Sequence, residues 1–132
     1  MHRVMRAAGT IAVTGIWVNA SEFFRNEVLL KSYWTNHYQA LGLVFPAEPI
    51  NGMVWGVWGF AFSAAIYWAT RRQKLAEAAL LCWVMTFVLM WLVIGNLGVL
   101  PAGLLFYAVP LSLLEVFVGA AICRKLSPCA TC

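Results

Sequence analysis

The sequence predicts an all-α membrane protein, an antiparallel bundle of four transmembrane helices with a long outer loop between the first and second. Three observations predict it. Hydrophobic residues make up 63% of the 132-residue chain and charged residues 11%, whereas a soluble domain runs near half apolar and a quarter charged, so there is too little polar surface to cover a water-soluble globule. Four apolar stretches each approach the roughly 20 residues that cross about 30 Å of hydrocarbon at 1.5 Å per residue. Seven Trp and eight Phe fit the enrichment of amphipathic rings at membrane interfaces.

The first stretch runs from Ala7 to Phe24. A competing reading is a secretory signal cleaved after Val18-Asn19-Ala20. Against it stands a stripe of Ala8, Ala12, Gly15, Asn19 and Glu22 at helical spacing, which serves a retained, packed helix. The connection from Arg25 to Pro49 mixes charge with Tyr33, Trp34, His37, Tyr38 and Phe45. Glu27 and Lys31 form an i,i+4 pair, so a helical extension of the first span is expected, then a segment at the outer interface closed by Pro46 and Pro49.

The second stretch is Ile50 to Ala69, the third Leu75 to Ile94, the fourth Ala102 to Cys123. Thr70 to Lys74 is short enough to force an antiparallel hairpin of the second and third spans. Gly95 to Pro101 pairs the third with the fourth, with Pro101 near the start of the fourth, where its missing N–H costs nothing. Pro110 inside the fourth removes one backbone bond. Residues 1–126 form a single four-helix membrane domain, and 127–132 a flexible cytoplasmic tail.

Orientation follows from the basic residues. Arg3, Arg6, Arg71, Arg72, Lys74, Arg124 and Lys125 fall on one side; Arg25 and Lys31 fall on the other. The positive-inside rule places the seven, and both termini, in the cytoplasm. The formal charge of +4 resides in these short clusters between apolar runs, which excludes nucleic acid as the expected partner. No cysteine lies in the outer segment, so Cys82, Cys123, Cys129 and Cys132 are expected as reduced thiols.

Lipid is as apolar as Leu, so helix association depends on close approach and polar links. Gly52, Gly56, Gly59, Ser63 and Tyr67 lie on one face of the second span, and Ser112, Glu115, Gly119 and Cys123 on one face of the fourth. With Gly15 of the first span, Gly52, Gly56, Gly59 and Gly119 are the expected packing positions. The third span, with Cys82 and Thr86 in a bulky run, is expected to show the most surface to lipid.

Glu115 is the sharpest feature. It lies about eight residues from the inner end of the fourth span, roughly 12 Å deep, where an ionised carboxylate costs about 3 kcal/mol on insertion scales. Matched depth gives Thr14, Ser63, Trp83 and Thr86 as its partners. On that count no Lys, Arg or His shares its level, so a neutral acid donating a hydrogen bond is expected at a ligand or proton site. Asn19, Glu22, His37, Asn51 and Asn96 are expected to gather near the outer surface, as the mouth of a ligand pocket or as helix caps and headgroup contacts. Cys129 and Cys132 form a CxxC, a weak candidate for a soft metal or redox pair, and too few ligands for a zinc site. No nucleophile–base pair, P-loop, dinucleotide fingerprint or HExxH is present, so neither enzymatic activity nor a cofactor is expected.

An aromatic-rich outer segment, Asn51-Gly52 opening the second span and Glu115 within the fourth give a layout that resembles small uncharacterised four-helix bacterial inner-membrane proteins. The resemblance spans about residues 7 to 125 and implies the fold and membrane, with no activity attached. Small mercury-transport proteins look to a Cys pair within their first helix, which this sequence does not have. Three functions follow as expectations: binding or transport of a small hydrophobic or weakly polar solute around Glu115; a structural or accessory subunit, with homo-oligomer formation as one form; or a soft-metal or redox role for the tail.

Overall fold

Long apolar runs broken by Gly, Pro and basic pairs become helices in a computed structural model that describes residues 2–128. Among the described residues every regular element is helical. The first, α1, is His2–Phe23 and continues without a break as a π-helical segment, Phe24–Leu29. At Leu30 (φ −114°, ψ 7°) the chain leaves helical geometry. A short outer helix, α2, Lys31–Ala40, follows. Gly42 then turns the chain at φ +71°, in the left-handed region that Gly enters without strain.

Pro49 opens α3, Pro49–Thr70, with its fixed φ at the first helical turn. After the basic turn at 71–74 come α4, Leu75–Trp83, a π-helical segment Val84–Val88, and α5, Leu89–Asn96, which form one continuous rod. Gly98, at φ +74°, reverses the chain. A 3-10 turn, Ala102–Leu104, leads into α6, Leu105–Leu126, which runs through Pro110. The Glu27–Lys31 pair forms as expected, with Lys31 Nζ 2.7 Å from Glu27 Oε2. The outer segment contains a helix of its own in place of the expected irregular interfacial strand of chain.

Three helices are long and apolar enough to cross a membrane: Pro49–Thr70, Leu75–Asn96 and Ala102–Leu126. The expected first span is not among them. It has the length, and polar residues such as Asn19, Ser21 and Glu22 lower its apolarity. It packs against α3 and α6, while α4 packs against α6 and α3. Expectation and structure also differ on the third span. The share of it buried, 22%, equals that of α3, and α6 leads with 33%, so the second and third spans show lipid equal proportions of themselves.

The core joins Val18 of α1, Phe62, Ile66 and Ala69 of α3, Ala78, Ala79 and Cys82 of α4, Phe87, and Val116, Ala120 and Cys123 of α6. Small residues on α4 and α6 let the backbones approach, which is how helices associate without a hydrophobic drive in lipid. All of the α6 face predicted from Ser112, Glu115, Gly119 and Cys123 is buried. The α1 face is rotated from the one expected: Thr10, Thr14, Val18 and Glu22 are buried, and Ala8 and Ala12 are exposed.

The glycines divide. A methyl group at Gly15 would strike the Phe60 ring, at Gly59 it would lie 2.6 Å from the Asn19 amide, and at Gly119 it would touch Ile66 and Thr14 at 3.5 Å. Gly52 and Gly56 have open space there, so the GxxxG pair that opens α3 packs against no helix of this chain.

Candidate functional site

The seam between α1 and α6 carries the polar chemistry, and its register is written in side-chain contacts. At the inner end Thr10 Oγ1 and Ser127 Oγ lie 2.8 Å apart. One turn up, Thr14 Oγ1 meets Cys123 Sγ at 3.3 Å. Further out Trp17 donates its indole N–H to the Glu115 carbonyl at 2.9 Å. Ser21 then donates to Glu115 Oε2 at 2.8 Å, and Arg25 Nη1 donates to the same oxygen at 3.1 Å. The helices therefore run antiparallel with Glu115 level with Glu22.

That level corrects the expected one. Counting from matched inner ends had set Thr14 beside Glu115, about seven residues or roughly 10 Å away along the helix. The slip has a physical cause: α1 begins at His2 and overreaches α6 at the inner side, so depth counted from the ends of apolar runs does not measure register. The consequence is large. Arg25, assigned to the outer surface by its charge, is 5% exposed and forms an ion pair with the fully buried Glu115. The expectation that no cation shares the depth of Glu115 is overturned.

A wider network surrounds the pair. The second amino group of Arg25 donates to Glu22 Oε1. Asn26 Nδ2 donates to Glu22 Oε2 at 2.9 Å, and Trp34 of α2 donates to Asn26 Oδ1 at 3.1 Å. The Arg25 guanidinium lies over the Phe87 ring, 5.0 Å from its centre. A cation on an aromatic face is attracted by the ring quadrupole, more strongly when desolvated. Arg25 belongs to the π-helical segment 24–29 and Phe87 to the segment 84–88, so the two π-helical stretches meet at this contact. Such segments are rare and frequent at functional sites.

The charge count does not close. Glu22 and Glu115 supply two carboxyls, which lie beside one another, and Arg25 supplies one guanidinium. Glu115 Oε1 is buried and accepts no hydrogen bond. Two carboxylates cannot bond to each other, whereas one proton between them makes the pair a donor and an acceptor and brings the cluster to neutrality.

The other sequence-predicted residues lie elsewhere. Ser63 donates back to Gly59 O at 2.7 Å, and Trp83 donates to Ser112 Oγ at 2.9 Å. Thr86 is half-buried in the second π-helical segment and has no contact with Glu115. The expected outer group is dispersed. Asn19 donates to Gly15 O at 2.9 Å and Gly56 O at 3.4 Å, bridging α1 and α3. Glu22 is in the buried network. His37 bonds Gly98 O at 2.8 Å, tying α2 to the loop before α6. Asn51 is half-buried near the start of α3, and Asn96 is exposed at the end of α5. No hydrogen bond joins these five residues to one another among the described residues.

Ser21, Arg25, Asn26 and Trp34 are absent from the sequence-predicted site. The signal for Arg25 was present in the sequence: Glu22 and Arg25 stand three apart, on one helical face. Ser127 and Pro128, assigned to the tail, are held by Thr10 and Arg71. Cys129 and Cys132 lie outside the described residues, within which no group of three metal-ligating side chains occurs.

The two best-formed depressions are shallow and external. One is lined by Ser32, Tyr33, Asn36 and His37, the other by Arg3, Arg6, Tyr67, Arg71, Ser127 and Pro128, and neither reaches Glu115. No protein-family model, curated protein or solved structure matches the chain.

Proposed function

We propose that this chain is a four-span protein of the bacterial inner membrane, with both ends in the cytoplasm, whose Glu22–Arg25–Glu115 cluster is a buried proton-binding site serving the binding or transport of a small solute. The observation that carries this reading is the pair of carboxyls sharing one guanidinium, with Glu115 Oε1 buried and without a donor. A surplus charge in a membrane interior is expensive, and intramembrane acids facing a helix interior mark proton relays and ion paths. Ser21, Asn26, Trp34 and Phe87 hold the cluster from three sides, and no other titratable group touches it. A fourth crossing by α1 is supported by its outward face, where Val13, Ile16, Phe23 and Phe24 are exposed while its charged residues Glu22 and Arg25 turn inward. The clustering of basic residues at one end supports the orientation.

Infrared difference spectroscopy on the protein in lipid tests the proton. A protonated-carboxyl C=O band at neutral pH is expected to vanish on alkalinisation and to be absent from Glu115→Gln and Glu22→Gln, each still assembled. A parent protein without such a band anywhere between pH 5 and 9 would sink the proposal. In vesicles loaded with a pH-sensitive dye, the parent is expected to pass protons with its solute and Glu115→Gln is not.

A second reading, a structural or accessory subunit, is favoured by the absence of a formed depression at Glu115. Under it the cluster ties α1 to α6, and Glu115→Gln changes stability with no proton flux to lose.

A further inference from the structure

The inner end of the molecule holds a second charged feature that the Glu115 cluster does not use. Arg3 and Arg6 stand one turn apart on α1, and Arg71 follows the last turn of α3. With the Tyr67 ring, Ser127 and Pro128 they line a cleft of about 260 Å³. We propose that this cleft binds the phosphate of an anionic membrane lipid. The reading is independent of the proton site.

Three arginines converge with no acid in the lining, and the guanidinium fork matches phosphate oxygens. Part of this donor set is already oriented by the protein. Arg6 Nε donates to Leu126 O at 2.7 Å, and Arg71 Nη1 donates to Ser127 O at 3.2 Å and Pro128 O at 2.9 Å. These bonds satisfy carbonyls at the end of α6 and fix where both guanidinium groups stand. The terminal amino groups of Arg6 make no hydrogen bond among the described residues, nor does Arg3. A ligand with several acceptor oxygens would complete them.

The surroundings select a lipid over a soluble anion. The cleft is at the end of three membrane-length helices, where headgroups lie. Val4 and Met5 on α1 and Trp68 on α3 are exposed beside it, at 72%, 65% and 61%, as apolar wall for an acyl chain. Arg72 stacks over the Trp68 ring at 4.0 Å, a pairing suited to the headgroup boundary. The cleft is smaller than the roughly 300 Å³ at which drug-sized pockets begin, a size for a headgroup. Basic pockets between helices on the cytoplasmic side are recognised lipid sites.

The test is a thermal-unfolding titration of the full chain in neutral detergent with phosphatidylglycerol, phosphatidylcholine and inorganic phosphate. A saturable rise in the unfolding midpoint is expected with phosphatidylglycerol and none with phosphatidylcholine. Arg3→Gln is expected to weaken the apparent affinity about fivefold and to leave the lipid-free midpoint unchanged. Lys125→Gln, outside the cleft, should leave affinity unaltered. Equal protection by both lipids, or an equal loss from Lys125→Gln, would overturn the site. Protection by inorganic phosphate over the same concentration range would overturn the assignment to a lipid.

Discussion

The α1–α6 seam uses two chemistries along one interface, and their contrast explains how this molecule handles polarity. In its inner half, hydroxyl and thiol groups pair one to one: Thr10 with Ser127 and Thr14 with Cys123. Each group is neutral and small, and Thr10 also donates to the Arg6 carbonyl at 2.9 Å, so burial needs no third partner. In the outer half the seam holds Glu22, Arg25 and Glu115, and two partners do not suffice. The guanidinium divides itself between two carboxyls and an aromatic face, and α2 and the α4–α5 rod are drawn in through Trp34 and Phe87. Neutral polar pairs zip two helices, whereas a buried charge recruits the rest of the fold. The cost of desolvating ions sets that difference.

The largest effect expected is at Arg25. Arg25→Met leaves two carboxyls facing each other without a cation and should destabilise the protein by about 3–5 kcal/mol, measured by denaturant unfolding in detergent micelles. Combining it with Glu22→Gln and Glu115→Gln should recover most of that loss. A single variant as stable as the parent would break the contrast between the two halves.

A middle effect distinguishes packed glycines from open ones. Gly15→Ala places a methyl in the Phe60 ring and should cost about 1–3 kcal/mol. Gly52→Ala meets nothing and should be neutral or stabilising by about 0.4–1 kcal/mol. Unfolding midpoints of the two variants side by side decide this, and the reverse order would show that α3 is gripped at its outer end.

The smallest effect is in the neutral half. Thr14→Val keeps the shape and loses a weak O–H···S contact, so a change below about 1 kcal/mol is expected. A loss as large as that at Arg25 would mean that the inner pairs are coupled into a network.

The apolar runs of the second, third and fourth spans were legible because hydropathy reads length and composition directly. The α6 face was legible because Ser112, Glu115, Gly119 and Cys123 repeat at helical spacing. The level of Glu115 was not. Depth counted from the ends of apolar runs assumes that helices begin flush, and α1 starts five residues before Ala7 and passes the end of α6. The inward turn of Arg25 was hidden because charge was taken to mark the surface, and because neither π-helical segment has a periodicity that a 3.6-residue template detects. The burial of Glu115 was legible from chemistry alone, since lipid would not accept it.

The π-helical segment after α1 has a consequence for how the molecule tolerates change in length. A π turn holds more residues than an α turn over a similar rise. Removing a single residue between Phe24 and Leu29 would let the helix relax to ordinary geometry and rotate the remainder by about 100°, swinging Asn26 away from Glu22 and the following outer helix away from Asn26. Point substitutions along this stretch alter a side chain, while a one-residue deletion re-aims an entire wall of the acidic cluster. The spacing of the chain there is itself part of what specifies the site.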